Sequence, residues 1–151
     1  MKKLQYSVQI AADASKIYDD MLGTTNKSTY EEWTALFNPT SSYEGSWEKG
    51  SKIYFIGVDE NGEKGGMVSE ISENTPNKFV SIRHLGILKG SKEILEGPDV
   101  EGWAGSYENY TFDSNNGSTK VIVDIETSDD FIEYMDETYP KALKKLKEMC
   151  E

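Results

Sequence analysis

The chain has 151 residues, enough for one domain with a real core and too few for two. Its 27 acidic residues against 16 basic give a formal charge of −11, the opposite sign from the basic footprint that a phosphate backbone demands, so nucleic acid is excluded as a partner. No stretch approaches the ~20 consecutive apolar residues of a membrane span, and the lone cysteine, Cys150, has no partner for an internal disulfide.

Residues Lys3 to Ile10 alternate, with Leu4, Tyr6, Val8 and Ile10 on one side and Gln5, Ser7 and Gln9 on the other. Period two marks a half-buried strand. The same alternation replaces the unbroken apolar run of a signal peptide, so a cytoplasmic location is the expectation. Asp13 or Ser15 offers an N-cap for a helix carrying Ile17, Tyr18, Met21 and Leu22, with Gly23 as its stop. A second short helix follows Ser28, with Tyr30, Trp33, Leu36 and Phe37 on one stripe, and ends at Asn38-Pro39.

Strand chemistry resumes at Tyr43. Tyr43–Trp47 and Lys52–Val58 flank a turn at Glu48-Lys49-Gly50, and the Asn61-Gly62 pair marks a hairpin. Gly66–Ser72 and Phe79–Leu85 are joined around Thr75-Pro76-Asn77. Tyr107–Phe112 and Lys120–Glu126 pair across Ser114-Asn115-Asn116-Gly117. Between Leu88 and Gly105 the pattern is irregular, with Ile94, Leu95, Val100 and Trp103 among glycines. A stretch this long is either a flap over a pocket mouth or a plain insertion. Thr127-Ser128-Asp129-Asp130 is a capping sequence for a last helix with Phe131, Met135, Tyr139, Leu143 and Leu146 on one face. Pro140 removes the bond to the carbonyl of Asp136, which predicts a kink.

One strand, two small helices, a curved antiparallel meander and a long amphipathic C-terminal helix together resemble the START-like superfamily, also called SRPBCC or helix-grip. The resemblance spans nearly the whole chain. It is carried by the passage from Ile10 through Ala11-Ala12-Asp13-Ala14-Ser15 into the first helix, and by the glycine-turn segment from Glu44 to Ile53. The run Gly66-Met67-Val68-Ser69-Glu70-Ile71, with Pro76 and Phe79 beyond it, and Gly117-Ser118-Thr119-Lys120-Val121 before the final strand complete it. The pattern is most similar to the activator of heat-shock protein 90 ATPase homologue-like and polyketide cyclase/dehydrase branches. The first of these often has Gly-Trp before its Leu-rich end, where this chain has Tyr139-Pro140. The resemblance implies an α+β fold in which a curved antiparallel sheet of about six or seven strands wraps a long C-terminal helix, as one domain over residues 1–151.

A sheet curled around one helix leaves space between them unless large side chains fill it. The helix face offers Phe131, Met135, Tyr139 and Leu143. The strands offer Tyr54, Ile56, Met67, Ser69, Ile82, His84, Tyr110 and Phe112, while Trp103 and Tyr107 flank the irregular stretch at the mouth. Such a lining, apolar with a few polar handles, is that of a small-molecule pocket, and a core filled with aromatic rings is the alternative. The partner expected is therefore a small hydrophobic molecule: a lipid, a polyketide-like compound or an aromatic one.

Catalytic signatures are absent. There is no nucleophile elbow, Cys–His pairing, phosphate-cradling loop or dinucleotide fingerprint, and no cofactor is called for. One histidine and one terminal cysteine do not supply a soft-metal ligand set. Asp59, Glu60 and Asn61 read better as a solvated hairpin than as an oxygen-ligand site. His84 reads as a hydrogen-bonded structural residue. Glu108 and Tyr110 share a strand face, where a carboxylate beside a phenol in a dry pocket transfers protons, although a surface-exposed pair is the expectation. A cyclase/dehydrase-type enzyme using His84, Glu108 or Tyr110, and a co-chaperone-like domain meeting a protein through its acidic surface, are the alternatives to a binding module. Exposed strand edges allow a homodimer.

Overall fold

The computed structural model describes the whole chain, Met1–Glu151. Its elements in order are β1 (Lys2–Ile10), α1 (Ala14–Leu22), α2 (Lys27–Thr34), β2 (Ser42–Gly45), β3 (Lys52–Val58), β4 (Lys64–Thr75), β5 (Phe79–Lys89), β6 (Lys92–Ile94), β7 (Ser106–Asn115), β8 (Ser118–Thr127) and α3 (Ile132–Cys150). The strands form one antiparallel sheet in the order β1-β8-β7-β5-β4-β3-β2, with β6 attached to β5. This is the helix-grip α+β fold. The sheet has eight strands rather than six or seven, because β6 forms inside the stretch between Leu88 and Gly105.

Local chemistry sets the element ends. Asp13 is the extended N-cap of α1, and Gly23 ends the helix in the left-handed conformation at φ 69° with its N–H on the carbonyl of Asp19. A side chain at Gly23 would also press on Tyr30 Cβ at 3.0 Å. Asn26 caps α2 by accepting from Ser28 N, two residues earlier than Ser28 itself would suggest. That helix stops at Thr34, so Leu36 leaves the predicted apolar stripe and is exposed. Asn116 and Gly117, at φ 53° and 79°, close the β7–β8 hairpin in the mirror-image turn that matches strand twist.

Two irregularities make β4 and β5 curl. Between Val68 and Ser69, and again between Ile71 and Glu73, the register slips by one residue. Each slip is a bulge, which bends the strand and raises its twist. The concave face so formed holds a continuous core that includes Ile10, Ile17, Met21, Trp33, Ile53, Ile82, Val123, Leu143 and Leu146. Helix α3 packs on this face against β1, α1 and α2. It runs as one helix through Pro140, presenting Thr138, Tyr139, Ala142, Leu143, Leu146 and Cys150 inward. Val68, Leu88 and Val100 are buried outside this cluster, which shows that part of the irregular stretch is packed rather than loose.

Candidate functional site

Beneath the first turns of α3 the grip is not filled. A cavity of about 660 Å³ lies there, within the ~300–1,000 Å³ usual for small-molecule sites. Met67 and Ile87 from β4 and β5 form its apolar floor with Ile125 of β8. Met135 and Phe131 close it from the helix side, and Trp103 closes it from the loop. His84 and Glu108 supply the polar wall. The first bulge is what brings His84 and Ile87 together. Val68 pairs with Gly86 and Ser69 with His84, so Leu85 is an extra residue and the alternation resets. Residues three apart then face the same space.

The polar wall is a connected network. Ser69 Oγ lies 2.7 Å from His84 Nδ1, and His84 Nε2 lies 2.9 Å from Glu108 Oε1. Nε2–H facing the carboxylate leaves Nδ1 facing the serine hydroxyl. Glu108 Oε2 accepts from the hydroxyl of Tyr139, and from that of Tyr110 at 3.4 Å. Burial pushes the Glu108 carboxyl upward, but the hydrogen bond and electrostatic pull of His84, with hydrogen bonds from Tyr139 and Tyr110, outweigh it and leave the group below its ordinary range. Burial, reinforced by the charge of Glu108, drives both tyrosines well above the usual phenol value. The carboxylate is therefore the fixed anion and the phenols remain donors. Tyr139 is anchored in turn by stacking on Tyr6, whose centroid is 5.2 Å away, and Tyr6 donates to Asp136 at 2.6 Å.

The residues singled out in the sequence fall into three groups. Met67, His84, Trp103, Tyr107, Phe131 and Met135 border the cavity. Ser69, Ile82, Tyr110, Phe112, Tyr139 and Leu143 are buried in the core around it. Tyr54 and Ile56 do neither. Ile53 and Phe55 are the β3 residues turned to the core, so Tyr54 takes the other face and donates to Glu93 of β6. The register of β3 was misread because Ile53-Tyr54-Phe55-Ile56 is apolar throughout and has no alternation to read. Ile56 instead borders a second, more open groove of about 1030 Å³ between Phe37, β3 and the β4–β5 hairpin, which shares Gly66, Met67 and Ile87 with the inner cavity.

The exposed Glu108–Tyr110 pair expected from sequence is likewise corrected. Tyr110 is 3% exposed and the Glu108 side chain 20%. Sequence reasoning missed Ile87, Ile125 and the role of Glu108 as the hub. The shared face of Glu108 and Tyr110 was a signal, but the partner on β5 is set by register alone. Asp59 does organise its own hairpin, accepting from Asn61 N and Glu63 N at 2.9 Å.

No protein-family model matches the chain, and no curated protein matches it. Solved structures do. The solution structure of the Aha1 dimer from Colwellia psychrerythraea is 21% identical, covering 100% of this chain and 97% of that one, with a TM-score of 0.70. Protein NE0264 from Nitrosomonas europaea is 15% identical over 97% of this chain and 92% of that one, also at 0.70. CalU16 from Micromonospora echinospora is 12% identical over 99% of this chain and 65% of that one, at 0.67. The likeness is one of fold, and it runs from end to end of this chain. No helix is long and apolar enough to cross a membrane.

Proposed function

We propose that this helix-grip chain reversibly holds a small, mainly apolar molecule in the cavity beneath the first turns of α3. The observation that carries this reading is a space of about 660 Å³, bordered by Met67, Ile87, Ile125 and Met135, beside a continuous core of 22 buried residues. Native interiors otherwise fill to crystal-like density, so a space this large is retained for an occupant. Phe131 and Trp103 at the rim close over it, and the His84–Glu108 edge orients its polar end. The test is thermal: a panel of lipids, polyketide-like compounds and aromatics is screened for a rise in Tm. A rise of several degrees that is lost in Met67→Trp, which fills the cavity, supports the reading. A flat response across the panel ends it.

A second reading has its own support in the Ser69–His84–Glu108 chain of hydrogen bonds. A histidine backed by a carboxylate at the edge of an apolar pocket is equipped for proton transfer, as a cyclase/dehydrase-type enzyme requires. Turnover that survives both His84→Ala and Glu108→Gln removes it. Self-association is a third expectation, suggested by the open edges of β1 and β2 and by the dimer of the Colwellia protein. Sedimentation at micromolar concentration distinguishes one copy from two.

A further inference from the structure

We propose that the ligand of the inner cavity carries a cationic amine on its apolar body. This rests on the cavity being a ligand site, and adds the chemistry of the ligand's polar end. The wall contributes four carboxylates, from Asp99, Glu108, Glu126 and Asp130, and not one Lys or Arg. Arg83, next in sequence to His84, pairs with Tyr107 across β5 and β7, 6.0 Å from its ring and 3.8 Å from Glu70, and does not itself line the cavity. Two of the four acids are already engaged. Asp99 lies 3.8 Å from Lys89, and Glu126 accepts from Tyr107 N.

Glu108 is the discriminating group. A carboxylate has about four acceptor positions. His84, Tyr110 and Tyr139 occupy three of them, and the carboxylate edges the cavity. Its hydrogen-bonding neighbours His84, Tyr110 and Tyr139 are all donors, and neither a Lys nor an Arg is among them. An ammonium group entering from the mouth would donate to the remaining position and meet the negative charge of the wall through low-dielectric surroundings. The indole of Trp103 and the ring of Phe131 at the rim offer π faces to the same cation. A fatty acid or other carboxylate of equal size meets repulsion instead, and a neutral alcohol gains the hydrogen bond without the charge. A bare metal ion does not suit the site, because no three of the acidic or histidine side chains converge tightly enough to hold one.

The experiment uses three soluble probes with one tail: phenylbutylamine, phenylbutanol and phenylbutyrate, titrated calorimetrically at neutral pH and moderate salt. The amine is expected to bind at least about tenfold more tightly than the alcohol, and the acid more weakly than either. An alcohol that equals the amine, or an acid that binds best, overturns the inference while leaving the cavity a ligand site. If none of the three binds, the ligand reading and this inference both fall. In Glu108→Gln the amine should drop to within about threefold of the alcohol measured in the same variant. An amine advantage that persists in that variant contradicts the assignment. Should the variant fail to fold, Asp130→Asn takes its place, with a loss of roughly two- to threefold confined to the amine; an unaltered amine affinity there overturns the inference too.

Discussion

The two halves of α3 rest on different interiors. From Tyr139 to Cys150 the helix lies on a solid block of side chains. Tyr139 stacks on Tyr6 and meets Phe37 edge-on at 5.0 Å, Trp33 meets Tyr110 at 6.4 Å, and Leu143 and Leu146 are 1% and 0% exposed. At its N-terminal end, at Phe131 and Met135, the same segment borders open space floored by Met67, Ile87 and Ile125. One sheet and one helix thus make both a close-packed core and a cavity. Rings meet around Tyr139 at the C-terminal half, whereas Met67, Ile87 and Ile125 floor the space at the N-terminal half. The Glu108 network marks the border, with Tyr139 and Tyr110 reaching it from the packed side and His84 from the open one.

Cavity-forming substitutions should separate the halves most sharply. Leu143→Ala or Leu146→Ala removes close-packed methyls and is expected to cost about 3 kcal/mol, a fall in Tm of roughly 6–12 °C. Met135→Ala, which enlarges a space already present, is expected to cost less than about 1 kcal/mol. Equal losses, read by calorimetry, would erase the distinction. At the border, Tyr139→Phe deletes a donor to a largely buried carboxylate and is expected to cost about 1–3 kcal/mol. Tyr110→Phe should cost less, because its hydroxyl sits at 3.4 Å.

The pH response sharpens the border further. The folded-state pKa of Glu108 is depressed below the ordinary carboxylate value near 4.5. Its stabilising contribution is therefore complete above that value and is lost as pH falls through the lower folded-state pKa. Glu108→Gln should flatten the acid limb of a stability profile below the ordinary carboxylate range and leave its slope at neutral pH unchanged. The smallest signal comes from the packed end. Burial, with Asp20 beside it, pushes the Cys150 thiol up to about 12, so its reaction with a disulfide reagent at pH 8 should be slower than that of an unfolded control by orders of magnitude.

How much of this was legible in the sequence depended on whether a segment alternates. β1 does, and the inward set Leu4, Tyr6, Val8 and Ile10 is the one the fold uses. The turn residues Gly23, Asn61-Gly62 and Asn116-Gly117 located their turns because positive φ restricts the choice of residue. Where a strand is apolar on both faces, as in β3, the sequence holds no record of which side is in, and Tyr54 was put on the wrong one. Bulges are silent as well: nothing in Arg83-His84-Leu85-Gly86-Ile87 announces that Leu85 is the extra residue, yet that slip gives the cavity both His84 and Ile87. Capping of α2 was off for a plainer reason, since Asn26 and Ser28 are both good caps and Asn26 won. The site's framework was readable as a set of side chains. Its openness was not, because volume depends on which chains meet across the grip.

The most direct test of an interior packed at one end and open at the other is a methyl-resolved NMR titration with phenylbutanol. The account predicts shifts at the methyls of Met67, Ile87, Ile125 and Met135, with Met21, Leu143 and Leu146 unmoved. Shifts spread evenly over both sets, or none in the first, would contradict it.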